Sequence, residues 1–303
     1  MAHIRHSRSG FALYDYVFLS VRNDMSKGWT PQPLKTIPGR EMHQMQCGKL
    51  NLTYQYYGYA DNKQTILMLY GFSGNLEYLR EIGPYLSDND QYQFLSVDYP
   101  GHGFGEENGP FVVSEFVDSL CMLLDKLGED KIILIGYSFG GGVAMQLYHN
   151  IKEKIKKLVL LNCDLNFSYN LYKYLFYKSY QSMLGLGIGI AINRVAVPLL
   201  TDKYMRKEIR KETKDVVQFN SLSALKDFYR QMIFTDYEYL TKEIICPTLI
   251  IGSKCDFLIS VKRSKHLSSL ISDSTIVIQN DIGHLCVITN PKATAEVILK
   301  WLE

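Results

Sequence analysis

The polar and apolar positions of the chain follow two periods. Short unbroken apolar runs, such as Ile66-Leu67-Met68-Leu69, Ile132-Ile133-Leu134-Ile135 and Leu249-Ile250-Ile251, have no polar face. They suit strands covered on both sides. Between them lie segments whose apolar residues recur every three or four positions. Phe116, Val117, Leu120, Leu123, Leu124 and Leu127 make one such stripe, with Ser114 as its expected N-cap and Gly128 as its stop. By these patterns strands are predicted at 65–69, 94–97, 131–135, 158–161, 247–252 and 275–278. Helices are predicted at 75–86, 114–127, 141–150 and 260–271, and from Pro291 onward. Segments 41–47 and 50–57 alternate instead and predict an antiparallel hairpin turning on Gly48-Lys49. Strict alternation of strand and helix from residue 65 predicts an α/β fold: a mostly parallel twisted sheet with helices on both faces.

The alternation fails once. Residues 166–243 contain many tyrosines and phenylalanines but no clear buried strand, and read as a helical cap inserted after the sixth strand. The core is then 41–165 with 244–303. Residues 1–40 form an N-terminal arm, basic at its start and extended at Pro31, Pro33 and Pro38. It is expected to pack on its own domain or on a partner protein.

Composition narrows the classes. A chain of 303 residues with a formal net charge of +2 carries no nucleic-acid footprint. The basic run 152–157 falls between a helix and a strand and reads as a solvated turn. Cys47, Cys121, Cys163, Cys246, Cys255 and Cys286 are scattered, without a C-x-x-C pair. This suits a reduced intracellular protein and gives a structural zinc site no support. Cytoplasm and mitochondrion both fit. No secretory signal or membrane span is expected, since the longest apolar candidate, 184–200, is interrupted by Asn193 and Arg194.

Chemistry concentrates at Gly136-Tyr137-Ser138-Phe139-Gly140, between a predicted strand and a predicted helix. A serine on such a turn needs neighbours two positions away that lack side chains, and both are glycine. With four further motifs in order, the chain resembles the α/β-hydrolases over residues 41–303. Leu69-Tyr70-Gly71-Phe72-Ser73-Gly74 stands where that family usually has His-Gly-x-x-Gly, with Tyr70 in place of the histidine. The resemblance implies that the backbone N–H groups of Phe72 and Phe139 form an oxyanion hole. Asp98-Tyr99-Pro100-Gly101-His102-Gly103 resembles a loop-organising D-x-x-G-x-G motif. Asp256 follows Gly252 by four residues, one more than is usual for the family's acid, and Asp164 is the alternative acid at the end of the sixth strand. Gly283-His284 follows the last strand and matches the family's base. Cys255 and Cys286 adjoin these motifs, so their thiols are expected near the site.

The resemblance implies a serine hydrolase that cleaves an ester or thioester through an acyl-enzyme, with no metal or organic cofactor. The cap residues Tyr169, Tyr172, Tyr174, Phe176, Tyr177 and Tyr180 suit a small-molecule substrate with an apolar acyl group. Two other readings stand beside it. One is a catalytically silent hydrolase-fold subunit of a larger assembly, and the other is a proline-type aminopeptidase.

Overall fold

The computed structural model describes residues 40–166 and 220–303. Most of the N-terminal arm lies outside the described residues. So do residues 167–219, with all six cap aromatics named above and the apolar run 184–200.

Eight strands form one sheet: β1 (Arg40–Cys47), β2 (Leu50–Tyr57), β3 (Gln64–Leu69), β4 (Tyr92–Val97), β5 (Ile132–Tyr137), β6 (Ile155–Leu161), β7 (Thr248–Ser253) and β8 (Ser274–Gln279). Their spatial order is β1-β2-β4-β3-β5-β6-β7-β8. Only β2 runs opposite to the other strands, pairing Tyr54 with Val97 on one side and Tyr57 with Arg40 on the other. The hairpin turns on Gly48 at φ 60°, a left-handed conformation that glycine adopts without cost. Every residue of β5 and β7 is buried, as unbroken apolar runs require when helices cover both faces.

The flanking helices are α1 (Gly83–Ser87), α2 (Val113–Leu127), α3 (Gly140–Ile151), α4 (Leu222–Phe234), α5 (Val261–Leu270), α6 (Cys286–Thr289) and α7 (Pro291–Leu302). Of these, α4 belongs to the insert between β6 and β7. The two ends of that insert meet in an antiparallel bridge between Asn166 and Asp236.

Three local expectations are corrected. The helix predicted at 75–86 is broken into a 3-10 turn, Leu76–Leu79, and the short α1. Pro84 cannot donate to a continuing helix, and Gly83 is packed so tightly that a Cβ there would lie 2.8 Å from the Tyr57 ring. Ser114 does not cap α2. The helix begins one residue earlier, and the Val113 N–H donates to Gln231 Oε1 of α4 at 2.7 Å, so the cap arrives from another element. The basic run 152–157 is a turn only as far as Lys154, because β6 already begins at Ile155. Lys157 lies over the Trp301 ring at 5.0 Å and donates to the Leu302 carbonyl at 2.7 Å.

Parallel strands point their C-terminal ends the same way, so the loops after β3, β4, β5, β6, β7 and β8 gather along one edge of the sheet. Ligand sites of open α/β sheets lie on that edge.

Candidate active site

The turn after β5 carries Ser138 at φ 54°, a strained position for a residue with a side chain. Close packing enforces it. A Cβ on Gly136 would lie 2.6 Å from Gly141 Cα, and one on Gly140 would strike the Leu69 carbonyl oxygen. The Ser138 N–H donates to the Leu161 carbonyl at 2.9 Å, which ties the turn to β6. Ser138 itself stays partly exposed above the sheet.

His284 follows β8 and is buried. Its Nε2 lies 2.9 Å from Ser138 Oγ, and its Nδ1 lies 2.7 Å from Asp256 Oδ2. A carboxylate only accepts, so Nδ1 carries the hydrogen and Nε2 presents a lone pair to the serine hydroxyl. The other oxygen of Asp256, Oδ1, accepts the N–H groups of Leu258 and Ile259, both at 2.8 Å, which fixes the carboxylate plane. The extra residue before the acid is absorbed in a turn, because the Asp256 N–H folds back to the Ser253 carbonyl at 3.2 Å.

Asp164 is not on the histidine. Arg263 of α5 engages both its oxygens, with Nε at 2.8 Å from Oδ2, and also reaches Glu238 Oε1 at 3.2 Å. This ion-pair group joins α5 to both ends of the insert.

Two residues without a sequence signal hold the backbone around His284. Tyr137 Oη donates to the His284 carbonyl at 2.8 Å, and burial pushes its phenol well above the usual tyrosine range. Asn162, at φ 43°, donates Nδ2 to the Gly283 carbonyl at 3.3 Å and the Cys286 sulfur at 3.4 Å. Burial pushes the Cys286 thiol up to about 12, so it stays protonated and serves as packing.

The loop after β3 abuts the serine: a Cβ on Gly71 would lie 2.6 Å from Ser138 Cβ. Tyr70 is bonded to the D-x-x-G-x-G loop. Its hydroxyl donates to Asp98 Oδ1 at 3.2 Å and accepts the Tyr99 N–H at 2.6 Å, while Tyr99 Oη returns a bond to the Tyr70 carbonyl at 2.8 Å. Asp98 also accepts the N–H groups of Leu76 at 2.8 Å and Phe104 at 2.7 Å. Aromatic side chains of α4 cover this floor. Phe228 has its ring 4.7 Å from Phe139 and 5.9 Å from Phe72, and Tyr229 stands 5.2 Å from Phe72.

His102 is fully buried among Tyr99, Phe111 and Phe228 and has its Nδ1 3.1 Å from the Pro100 carbonyl. It organises the loop and lies off the serine. Burial lowers its pKa from 6.5 to about 4. The folded protein therefore keeps it neutral while the unfolded chain protonates it below pH 6.5. Stability attributable to His102 is full above pH 6.5 and falls as pH drops toward 4, by about 3 kcal/mol in all. Denaturant melts of wild type and His102→Gln across this window should show the shallower pH dependence in the variant.

Among the described residues, no group of three or more His, Cys, Asp or Glu side chains is placed to hold a metal ion. No described helix is long and apolar enough to cross a membrane.

The family model described as alpha/beta hydrolase fold matches residues 64–291. The chain belongs to the alpha/beta hydrolase family. Its relatives include the monoacylglycerol lipase ABHD6 of Bos taurus, 23% identical over 291 residues, covering 87% of this chain and 82% of the lipase. Similar solved structures include a bromoperoxidase from Bacillus anthracis, with TM-score 0.79 and 16% identity, covering 86% of this hydrolase and 99% of that chain. An enol-lactonase from Burkholderia xenovorans LB400 matches with TM-score 0.77 and 18% identity over 86% of this chain and 99% of its own. At such identities the solved structures show the fold. Family membership and the relatives together make the chain an alpha/beta hydrolase enzyme.

Proposed function

We propose that this hydrolase cleaves an ester or thioester of an apolar acyl group through an acyl-enzyme on Ser138. The observation that carries the reading is the continuous bond path from Ser138 Oγ through His284 to Asp256, with only the serine partly exposed. His284 Nε2 takes the hydroxyl proton as Oγ bonds to the carbonyl carbon, and the carbonyl π electrons move onto oxygen. The amides of Phe72 and Phe139 stabilise that oxyanion. The tetrahedral adduct collapses, the bond to the leaving alcohol or thiol breaks, and the leaving group receives the proton from His284. Water then repeats the sequence on the acyl-enzyme and releases the acid and free Ser138.

Apolar preference is supported by Phe72, next to the Gly71 that abuts Ser138, with the rings of Phe228 and Tyr229 against it. The relative named as a monoacylglycerol lipase acts, by that name, on an ester of this kind. Each buried methylene is worth about 0.8 kcal/mol. A p-nitrophenyl ester series from acetate to octanoate should therefore show kcat/KM rising by about tenfold or more along the series. A flat series would remove the apolar acyl site, and no hydrolysis of any member would contradict the ester reading.

A further inference from the structure

The loop after β3 contains a second strained residue. Ser73, next to Phe72, sits at φ 60° with a side chain attached. Such a conformation costs of order 1–3 kcal/mol and persists only where its surroundings hold it. The holding group comes from far along the chain. Asn220, within the insert just before α4, donates Nδ2 to the Ser73 carbonyl at 2.7 Å and to the Gly74 carbonyl at 3.5 Å. Its Oδ1 accepts the Gly103 N–H at 2.9 Å and Asn75 Nδ2 at 3.1 Å. Backbone carbonyls only accept and a backbone N–H only donates, so these partners fix which way the amide faces. The adjacent Ser221 N–H donates to the Gly101 carbonyl at 2.7 Å, which anchors Asn220 to the D-x-x-G-x-G loop.

We infer that Asn220 is a positioning residue for the oxyanion-binding backbone at Phe72. One amide clamps the strained Ser73-Gly74 peptide against the loop 101–103 and so sets where the Phe72 N–H points. The stretch of the insert that leads into α4 is thereby part of the catalytic scaffold as well as a cover over it. The inference rests on the acyl-transfer reading above. That reading assigns the Phe72 amide its role; the Asn220 contacts stand apart from it.

The test uses full-length wild type, Asn220→Ala and the isosteric Asn220→Asp, with kcat normalised to active sites titrated by a fluorophosphonate. Asn220→Asp keeps both acceptor contacts and loses the donor to Ser73. Both variants should lose roughly 10–100-fold in kcat, with KM within about threefold, because a misdirected donor weakens the transition state more than the ground state. Phosphonylation of Ser138 should slow in parallel, since it develops charge on the same oxygen. A purely structural role would lower the melting temperature and the fraction of active sites while leaving normalised kcat unchanged. Unchanged kcat in either folded variant, or a loss confined to KM, would overturn the inference. Should Asn220→Ala fail to fold, Asn220→Asp decides. An inert, unlabelled wild type would sink the acyl-transfer reading and the inference together, whereas an active wild type with unaffected variants would sink the inference alone.

Discussion

Replacing Ser138 by alanine is expected to lower kcat by about 10⁶-fold, with hydrolysis reduced to what binding and the oxyanion donors alone supply. Among the described residues no other hydroxyl bonds a ring nitrogen of His284: Nε2 has Ser138 Oγ at 2.9 Å, and Nδ1 is taken by Asp256. The fold should tolerate the change. Alanine at φ 54° suffers the same backbone strain as serine, and the glycines that make room for the turn are untouched. The melting temperature should therefore stay within a few degrees while activity disappears. Loss of activity through unfolding would show in the same melt and would not count. Steady-state kinetics and a thermal melt on one preparation check both halves of the expectation.

The second large effect separates the two carboxylates. Asp256→Asn should lower kcat by about 10⁴-fold. An amide at position 256 can still accept the Leu258 and Ile259 N–H groups through its oxygen, so the turn survives. What it presents to His284 Nδ1 is then its NH₂. That turns Nδ1 into an acceptor, moves the ring hydrogen to Nε2, and leaves the base unable to take the serine proton. Asp164→Asn should leave kcat within about threefold, because that carboxylate serves Arg263 instead. Its cost falls on stability. Arg263 is about one-third exposed (32%), so water screens the charge left behind, and a loss of about 1–2 kcal/mol is expected in a denaturant melt. The reverse pattern, activity lost with Asp164 and kept with Asp256→Asn, would reassign the acid.

Much of this architecture was legible in the pattern of residues. The apolar runs that became β5 and β7 have no polar face, and only a sheet covered on both sides accepts them. The elbow was legible because its glycines are a steric requirement visible from spacing alone. The candidate site residues Ser138 and His284 were suggested by motif order, and the fold brings them within 2.9 Å. The choice between Asp256 and Asp164 needed three dimensions, since it depends on a turn at Ser253 and on an arginine a hundred residues away in sequence.

Other features had no local signal. Nothing near Val113 announces that its N–H is capped by Gln231, so the local rule pointed to Ser114 instead. Pro84 was visible, but the crowding of Gly83 against Tyr57 that helps split the helix was not. Tyr137 acts on the carbonyl of position 284 and Asn162 on that of position 283, which any residue could supply, and Asn220 acts on two more. Side chains that hold distant backbone leave no pattern in their own neighbourhood. They become visible only when the accounting of buried polar groups is done in space.

The central claim is that Ser138 is an activated nucleophile. It is tested most directly by treating the folded protein with a fluorophosphonate and mapping the adduct by peptide mass spectrometry. The expected result is a single phosphonylated residue, Ser138, with labelling abolished in Ser138→Ala and strongly slowed in Asp256→Asn. A folded wild type that stays unlabelled, or one modified at another residue with Ser138 untouched, would contradict the account.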